Sequence, residues 1–221
     1  MHLASWSGGK DSCFAVYQAV RSGKRIAGLL NCVDRDNGRV SFHGVNSELI
    51  RAQAHLLRMP LLQQETMPES YAAEFKQGVR ELGKGKGITG MVFGDIYLDE
   101  HLAWVDGVCR DLGIKAVEPL WGLNTTELIR EFVSAGFRSV IIAGNADCID
   151  APWIGRMIDR DFIEYLSARP HVDPCGERGE YHTLVVGGPL FRGSIEITDA
   201  QTVERGGYRF LDVKSFQVNA P

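Results

Sequence analysis

Residues 3–20 read LASWSGGKDSCFAVYQAV. A short apolar run, Leu3 to Trp6, gives way to Ser7-Gly8-Gly9-Lys10-Asp11-Ser12, and an amphipathic stretch then continues to Arg21. A strand that ends in a glycine-rich turn and opens a helix makes an anion site. Small residues let backbone N–H groups approach a ligand, and the helix N-terminus adds partial positive charge. The junction therefore predicts a phosphate cradle, against the plainer reading of an ordinary tight turn. It is not a Walker loop, which requires glycine at position 4 and Ser or Thr after the lysine, where this chain has Ala4 and Asp11. Nor does it carry the G-x-G-x-x-G fingerprint of a dinucleotide fold.

Short apolar runs alternate with helical patterns to about residue 142, which predicts βαβ units and a parallel sheet. The strand expectations are Leu3 to Trp6, Ile26 to Cys32, Leu61 to Glu65, Met91 to Phe93, Lys115 to Val117 and Ser139 to Ala143. Helices are expected over Asp11 to Arg21, Ser47 to Arg58, Ser70 to Leu82, Leu98 to Leu112 and Thr125 to Ala135. Gly23 and Gly83 read as C-caps, and Asn124-Thr125-Thr126-Glu127 as a capping box. Beyond it, Ile154, Ile158, Phe162, Ile163 and Leu166 recur at helical spacing, so a helix is expected over 151–166. After Pro170 the period shortens, and YHTLVV, SIEIT and YRFLDV read as strands separated by glycine turns. The fold class is therefore α/β: an open parallel sheet with helices on both faces, followed by a small C-terminal α+β segment. The expected division is 1–145 and 146–221.

The chain has 221 residues, 44% hydrophobic and 24% charged, enough for a sizeable core. Its formal net charge of -4 and lack of a basic run give no broad footprint for nucleic acid. The start lacks a signal peptide, and no apolar run approaches membrane-spanning length, so a cytoplasmic protein without a membrane partner is expected. The five cysteines are widely separated and never spaced C-x-x-C, which argues against a disulfide framework or a zinc knuckle; no protein metal site is expected.

Near the other end lies DPCGERGEYHT, residues 173–183, just before an expected strand. Glu177, Glu180 and His182 on a glycine-rich loop can bind a metal, bind an amine or relay protons; a solvated loop is the bland alternative. Asp95, following Gly94 at a strand end, stands where open parallel sheets bind ligands, against a helix-capping role. His43, in SFHG, is either a pocket residue or a solvated loop residue. Trp121 and Trp153 read as packing residues. Asn145 and Asp147 either reach a cleft or cap the next helix.

The string S-G-G-K-D-S at residues 7–12 resembles the pyrophosphate loop of the N-type ATP pyrophosphatases. The resemblance implies the HUP, or adenine nucleotide alpha hydrolase, type of sheet and cleavage of ATP to AMP and pyrophosphate. It implies that the loop amides with Ser7 and Ser12 hold the pyrophosphate, that Lys10 offsets its charge, and that Asp11 orients the loop or a magnesium ion. With G-E-x-G-E-Y-H-T at residues 176–183, EPLW at 118–121, FGDI at 93–96 and WIGRMID at 153–159, the chain resembles the diphthine-ammonia ligase family along nearly its whole length. It ends at Pro221 without the further C-terminal modules of eukaryotic members, so it is similar to the minimal prokaryotic form.

That resemblance implies an AMP-forming ligase using ATP and Mg2+ to convert a carboxylate to an amide with ammonium, with elongation factor 2 as protein substrate. The first 145 residues would bind ATP, with Ser7, Gly8, Gly9, Lys10, Asp11, Ser12, His43, Gly94 and Asp95 as nucleotide contacts. The remainder would hold the substrate and ammonia, with Glu177, Glu180, His182 and Thr183 catalytic. Free ammonium is the expected nitrogen source, since 221 residues leave little room for a glutaminase. A family member amidating another carboxylate, for instance in corrinoid salvage, and a tRNA-modifying enzyme with the same loop remain alternatives. Homo-oligomerisation is left open.

Overall fold

The structure is a computed structural model and describes residues 1–40 and 44–219. By its contacts the chain forms two compact units: residues 1–7 with 11–122, and residues 8–10 with 123–221.

In the first unit, β1 (His2–Ser5), β2 (Ile26–Asp34), β3 (Leu61–Thr66), β4 (Gly90–Val92) and β5 (Lys115–Val117) alternate with α1 (Lys10–Arg21), α2 (Ser47–Leu57), α3 (Tyr71–Gly83) and α4 (Asp99–Leu112). All pairings are parallel, in the order β3-β2-β1-β4-β5. β2 reads Ile26-Ala27-Gly28-Leu29-Leu30-Asn31-Cys32-Val33-Asp34 and is buried through its middle. A near-continuous apolar run suits a strand covered on both faces. The edge strands β3 and β5 are only partly buried. Leu3, Leu30, Phe75, Val79, Met91, Phe93, Val105 and Val108 form a core beside α3 and α4. The strand order turns about β1, with β2 on one side and β4 on the other, so the ends of β1 and β4 lie at the switch point where such sheets bind ligands.

The second unit contains α5 (Thr125–Ser134), β6 (Arg138–Asn145), α6 (Arg160–Ser167), β7 (Tyr181–Gly187), β8 (Ser194–Arg205) and β9 (Tyr208–Asn219). These four strands close a small antiparallel barrel. Gly206 and Gly207, with φ of 59° and 78°, make the two-residue turn joining β8 to β9, because Arg205 pairs with Tyr208. Phe132 stacks on Phe137 at 4.9 Å between centroids, and Phe162 meets the Tyr181 ring edge-on at 5.3 Å.

Three expectations change. The strand at 139–143 is not a sixth parallel strand: β6 pairs antiparallel with β7 and β9, and with α5 it groups in the second unit. A buried apolar run looks the same whichever way its neighbours point. The helix expected over 151–166 is broken. Residues 151–153 form a single 3-10 turn carrying Pro152, Gly155 takes a φ of 89°, and Gly155 and Ile158 N–H groups donate to Ile141 and Ser139 carbonyls of β6. The helix begins only at Arg160, where the Asp159 side chain accepts from Phe162 N–H at 3.0 Å. Gly83 is the last residue of α3 rather than its cap, whereas Gly23, with φ of 84°, does end α1.

Candidate functional site

In the first unit the exit of β1 is fixed from several sides. Trp6, 1% exposed, donates its indole N–H to Gln53 Oε1 at 2.9 Å, and its carbonyl accepts from Asn31 Nδ2 at 2.9 Å. Gln63 Nε2 donates to Asn31 Oδ1 at 3.1 Å, so three side-chain amides brace the strand end. Buried polar groups are tolerated when paired in this way. Ser7 and Ser12 hydroxyls lie 3.1 Å apart across the turn. Gly94, after β4, has no room for a side chain: an added Cβ would lie 2.7 Å from Ser12 N and 2.8 Å from the Asp11 carbonyl carbon. Glycine there lets the β4 loop touch the first turn of α1.

Asp95 pairs with His101 Nδ1 at 3.0 Å. Glu118, directly after β5, has its Oε1 buried without a hydrogen-bond partner among the described residues. Burial first, then the charges of Asp95 and Asp106, raise its carboxyl to about 7. A carboxyl at that value can hold or release a proton at neutral pH.

In the second unit the loop 173–180 is wound around two carboxylates. Asp173 Oδ1 accepts from the N–H groups of Cys175 at 2.9 Å and Glu177 at 3.2 Å. Glu180, 6% exposed, accepts Asp173 N–H on one oxygen at 2.9 Å and Arg178 N–H on the other at 3.0 Å. Tyr181 Oη donates to the Pro174 carbonyl at 2.6 Å, and Tyr208 Oη to that of Gly179 at 3.0 Å.

Gly8–Lys10 belong to this unit. The Gly8 carbonyl accepts from Val185 N–H at 2.9 Å, and Thr183 Oγ1 accepts from Lys10 N–H at 3.0 Å. Lys10, 3% exposed, donates its ammonium to the Cys175 carbonyl and lies 5.0 Å from the Tyr181 ring centroid. Burial, with Lys10 adding to it, lowers His182 to about 4, so its imidazole is neutral at pH 7.

Residues 1–116 match the family described as the diphthamide synthase N-terminal domain, and residues 124–217 match the diphthamide synthase C-terminal domain. The chain belongs to the diphthamide synthase family. A protein of Schizosaccharomyces pombe named diphthine–ammonia ligase is 26% identical over 237 residues, covering 97% of this chain and 39% of its own length. Proteins of the same name from Bos taurus and Homo sapiens are 28% and 27% identical over 230 residues, covering 94% of this chain and 86% of their own lengths. Among the described residues, no helix is long and apolar enough to cross a membrane.

Among the residues singled out from the sequence, Ser7, Asp11, Ser12, Gly94 and Asp95 lie in the first unit, and Gly8, Gly9, Lys10, Glu177, Glu180, His182 and Thr183 in the second. His43 lies outside the described residues. Lys10 and Thr183, 173 positions apart in sequence, share a hydrogen bond. Asn145 accepts from Asp147 N–H at 2.9 Å, capping a local turn, and Trp153 packs against Phe162 and Tyr165. Sequence reasoning gave no separate role to Tyr181, the Cys175 carbonyl or the raised carboxyl of Glu118. A backbone carbonyl has no sequence signature, although Tyr181 and Glu118 both stand inside the family-like strings.

Proposed function

We propose that the chain is an AMP-forming, ATP-dependent ligase that amidates the diphthine side chain of elongation factor 2 with ammonium. The observation that carries this reading is the hydrogen bonding of Lys10, from the pyrophosphate-type loop, to Thr183 of the family-like string at 176–183 and to Cys175 just before it. The relatives' shared name and the two family matches support the same activity.

The chemistry sets the order of events. A carboxylate does not react with ammonia at neutral pH because its carbon is shielded by negative charge and has no leaving group. A carboxylate oxygen therefore attacks the α-phosphorus of ATP, the bond to the bridging oxygen breaks, and pyrophosphate departs. Ammonia then attacks the acyl carbon, AMP leaves, and one proton is lost to form the amide.

The donor set at residues 7–12 fits a pyrophosphate: two glycines without side chains, two hydroxyls and a lysine, at the start of a helix. In this reading Ser7, Ser12 and the loop amides hold the phosphates, and Lys10 offsets their charge. Gly94 and Asp95 flank the nucleotide, and Asp11 orients a magnesium ion carried by ATP. Residues 7–12, Gly94 and Asp95 thus serve the nucleotide, and Glu177 and His182 the acyl substrate and ammonia.

Ammonium loses its proton near the lysine range, roughly 10. Glu177, half-buried on its loop, offers it a carboxylate. His182, neutral and depressed to about 4, is a weak base and serves better as a hydrogen-bond partner for substrate. The test supplies purified protein with ATP, magnesium, ammonium and diphthine-bearing elongation factor 2. Ammonium-dependent AMP and pyrophosphate, with the factor changing by the mass difference between OH and NH2, is the expected result. ADP as product, or an unmodified factor, sinks the reading.

A further inference from the structure

Tyr181, Thr183 and Val185 are alternate residues of β7, so the two side chains of Tyr181 and Thr183 share one face of the strand. At successive alternate positions β7 touches the glycine-lysine segment: the Tyr181 ring lies against the Lys10 ammonium, the Thr183 hydroxyl accepts Lys10 N–H, and Val185 N–H donates to the Gly8 carbonyl. A fourth contact comes from the Cys175 carbonyl, which accepts from Lys10 Nζ.

That carbonyl is itself held in place. Cys175 N–H is bound by Asp173, the Asp173 N–H by Glu180, and the neighbouring Pro174 carbonyl by Tyr181 Oη. The Glu180 carboxylate has each oxygen engaged by a loop amide and is almost wholly out of solvent. These bonds join side-chain oxygens to backbone N–H and carbonyl groups, and they fix a loop. The chain of contacts runs from Glu180 through the Asp173 and Cys175 backbone to Lys10.

We propose that Glu180, Tyr181 and Thr183 are positioning residues for Lys10, and that they act on the ATP half of the reaction rather than on ammonia. This rests on the ligase reading above, in which Lys10 faces the departing pyrophosphate. The Thr183 hydroxyl fixes the lysine backbone, while the loop braced by Glu180 and Tyr181 fixes its ammonium. Misplacing either end weakens nucleotide binding and leaves the affinity for ammonium unchanged.

The experiment measures binding of α,β-methylene ATP, which cannot be split at the inner bond, together with KM values for ATP and ammonium. Four variants are compared with the natural chain: Thr183→Val, Thr183→Ser, Glu180→Gln and Tyr181→Phe. Far-UV circular dichroism reports whether each is folded. Thr183→Val keeps the β-branched shape and loses the hydroxyl that accepts Lys10 N–H, so its Kd for the analogue rises about tenfold, the effect of one lost buried hydrogen bond. Thr183→Ser restores the hydroxyl and brings the Kd back to within about threefold of the natural chain. Glu180→Gln and Tyr181→Phe raise the same Kd, with the ammonium KM unchanged in all four.

Analogue binding unaffected in Thr183→Val, or in both Glu180→Gln and Tyr181→Phe, overturns the proposal. A Glu180→Gln variant that raises the ammonium KM while binding the analogue normally also overturns it, and returns Glu180 to the ammonia step. Should Thr183→Val fail to fold, the Glu180 and Tyr181 variants decide by the same criteria. A natural chain that binds the analogue but forms no AMP sinks the ligase reading alone. One that binds no nucleotide sinks both.

Discussion

The two units brace their functional segments with different chemistry. In the first, the end of β1 is held by neutral side-chain amides: Gln53 on the Trp6 indole, Asn31 on the Trp6 carbonyl, and Gln63 on Asn31. In the second, the loop 173–180 folds around the carboxylates of Asp173 and Glu180, which gather four backbone N–H groups between them. A parallel sheet already supplies most of its backbone bonds, so the strand end needs only a few neutral side-chain partners. An irregular loop has no ladder to join, and its buried amides must find acceptors elsewhere. Carboxylates suit that need, because each oxygen accepts more than one donor and charge-assisted bonds are the stronger kind.

Beneath this difference the cores are alike, and the largest predicted effects test that likeness. Phe75 in the first unit and Phe162 in the second are 1% and 0% exposed. Phe75→Ala and Phe162→Ala should each cost about 3–5 kcal/mol, read from urea midpoints at constant slope. A cost below about 1 kcal/mol for either would mean that its aromatic cluster repacks freely and is not a core of the kind described.

The braces themselves come next. Gln53→Leu leaves the Trp6 indole N–H buried without its acceptor and should cost about 1–3 kcal/mol. Glu180→Gln retains one amide oxygen as acceptor and leaves a loop N–H facing an NH2 group; a loss of similar size, about 1–3 kcal/mol, is expected. A neutral Gln53→Leu would show that the amide brace is dispensable. Hydrogen exchange gives a local readout of the other brace: Glu180→Gln should speed exchange at Asp173 and Arg178, whose N–H groups Glu180 binds.

One group in each unit responds to pH, and the two responses have opposite sign. Glu118 is raised from an ordinary 4.5 to about 7, so between those values the folded chain keeps a proton that the unfolded chain has lost. Its contribution is present below 4.5 and is lost as pH rises toward 7. His182 is lowered from 6.5 to about 4, so in that window the unfolded chain binds the extra proton. Its contribution is present above 6.5 and is lost as pH falls toward 4. Glu118→Gln should therefore remove a decline in stability with rising pH, and His182→Asn a decline with falling pH. Urea melts at several pH values between 4 and 7 check both signs. If both variants shift the profile in the same direction, one assignment fails.

Much of this was legible in the sequence wherever the signal is local. The parallel strands and their helices follow from apolar runs and caps, with boundaries moving by a residue or two; β5 begins and ends where expected, at Lys115 and Val117. What stayed hidden depends on partners distant in the chain. Nothing within residues 138–145 says that β7 and β9 will flank them antiparallel. Ile154 and Ile158 fit a helical period, yet Pro152 and Gly155 interrupt it and the backbone joins β6 instead. At the candidate site both strings could be seen from residue types alone. Glu180, however, reads as a free carboxylate until the fold brings Asp173 and Arg178 amides to it, and Glu118 reads as an ordinary acid until burial raises it.

The smallest expected effect concerns helix starts, where local signals and observed bonds agree in both units. Asn46 accepts from Glu48 N–H at 2.9 Å at the start of α2, and Asn124 accepts from Glu127 N–H at 3.1 Å at the start of α5. Each side chain satisfies one of the donors that the first turn leaves open. Asn46→Ala and Asn124→Ala should each cost about 1 kcal/mol, while Asn→Asp at either position should preserve the cap and add favourable charge near the helix N-terminus. Because the mechanism is local, the two costs should agree within about 0.5 kcal/mol and add in the double variant, as they do for independent sites. Unequal costs would mean that the surrounding unit, rather than the first turn, sets what a cap contributes, and the likeness between the units would then stop at their cores.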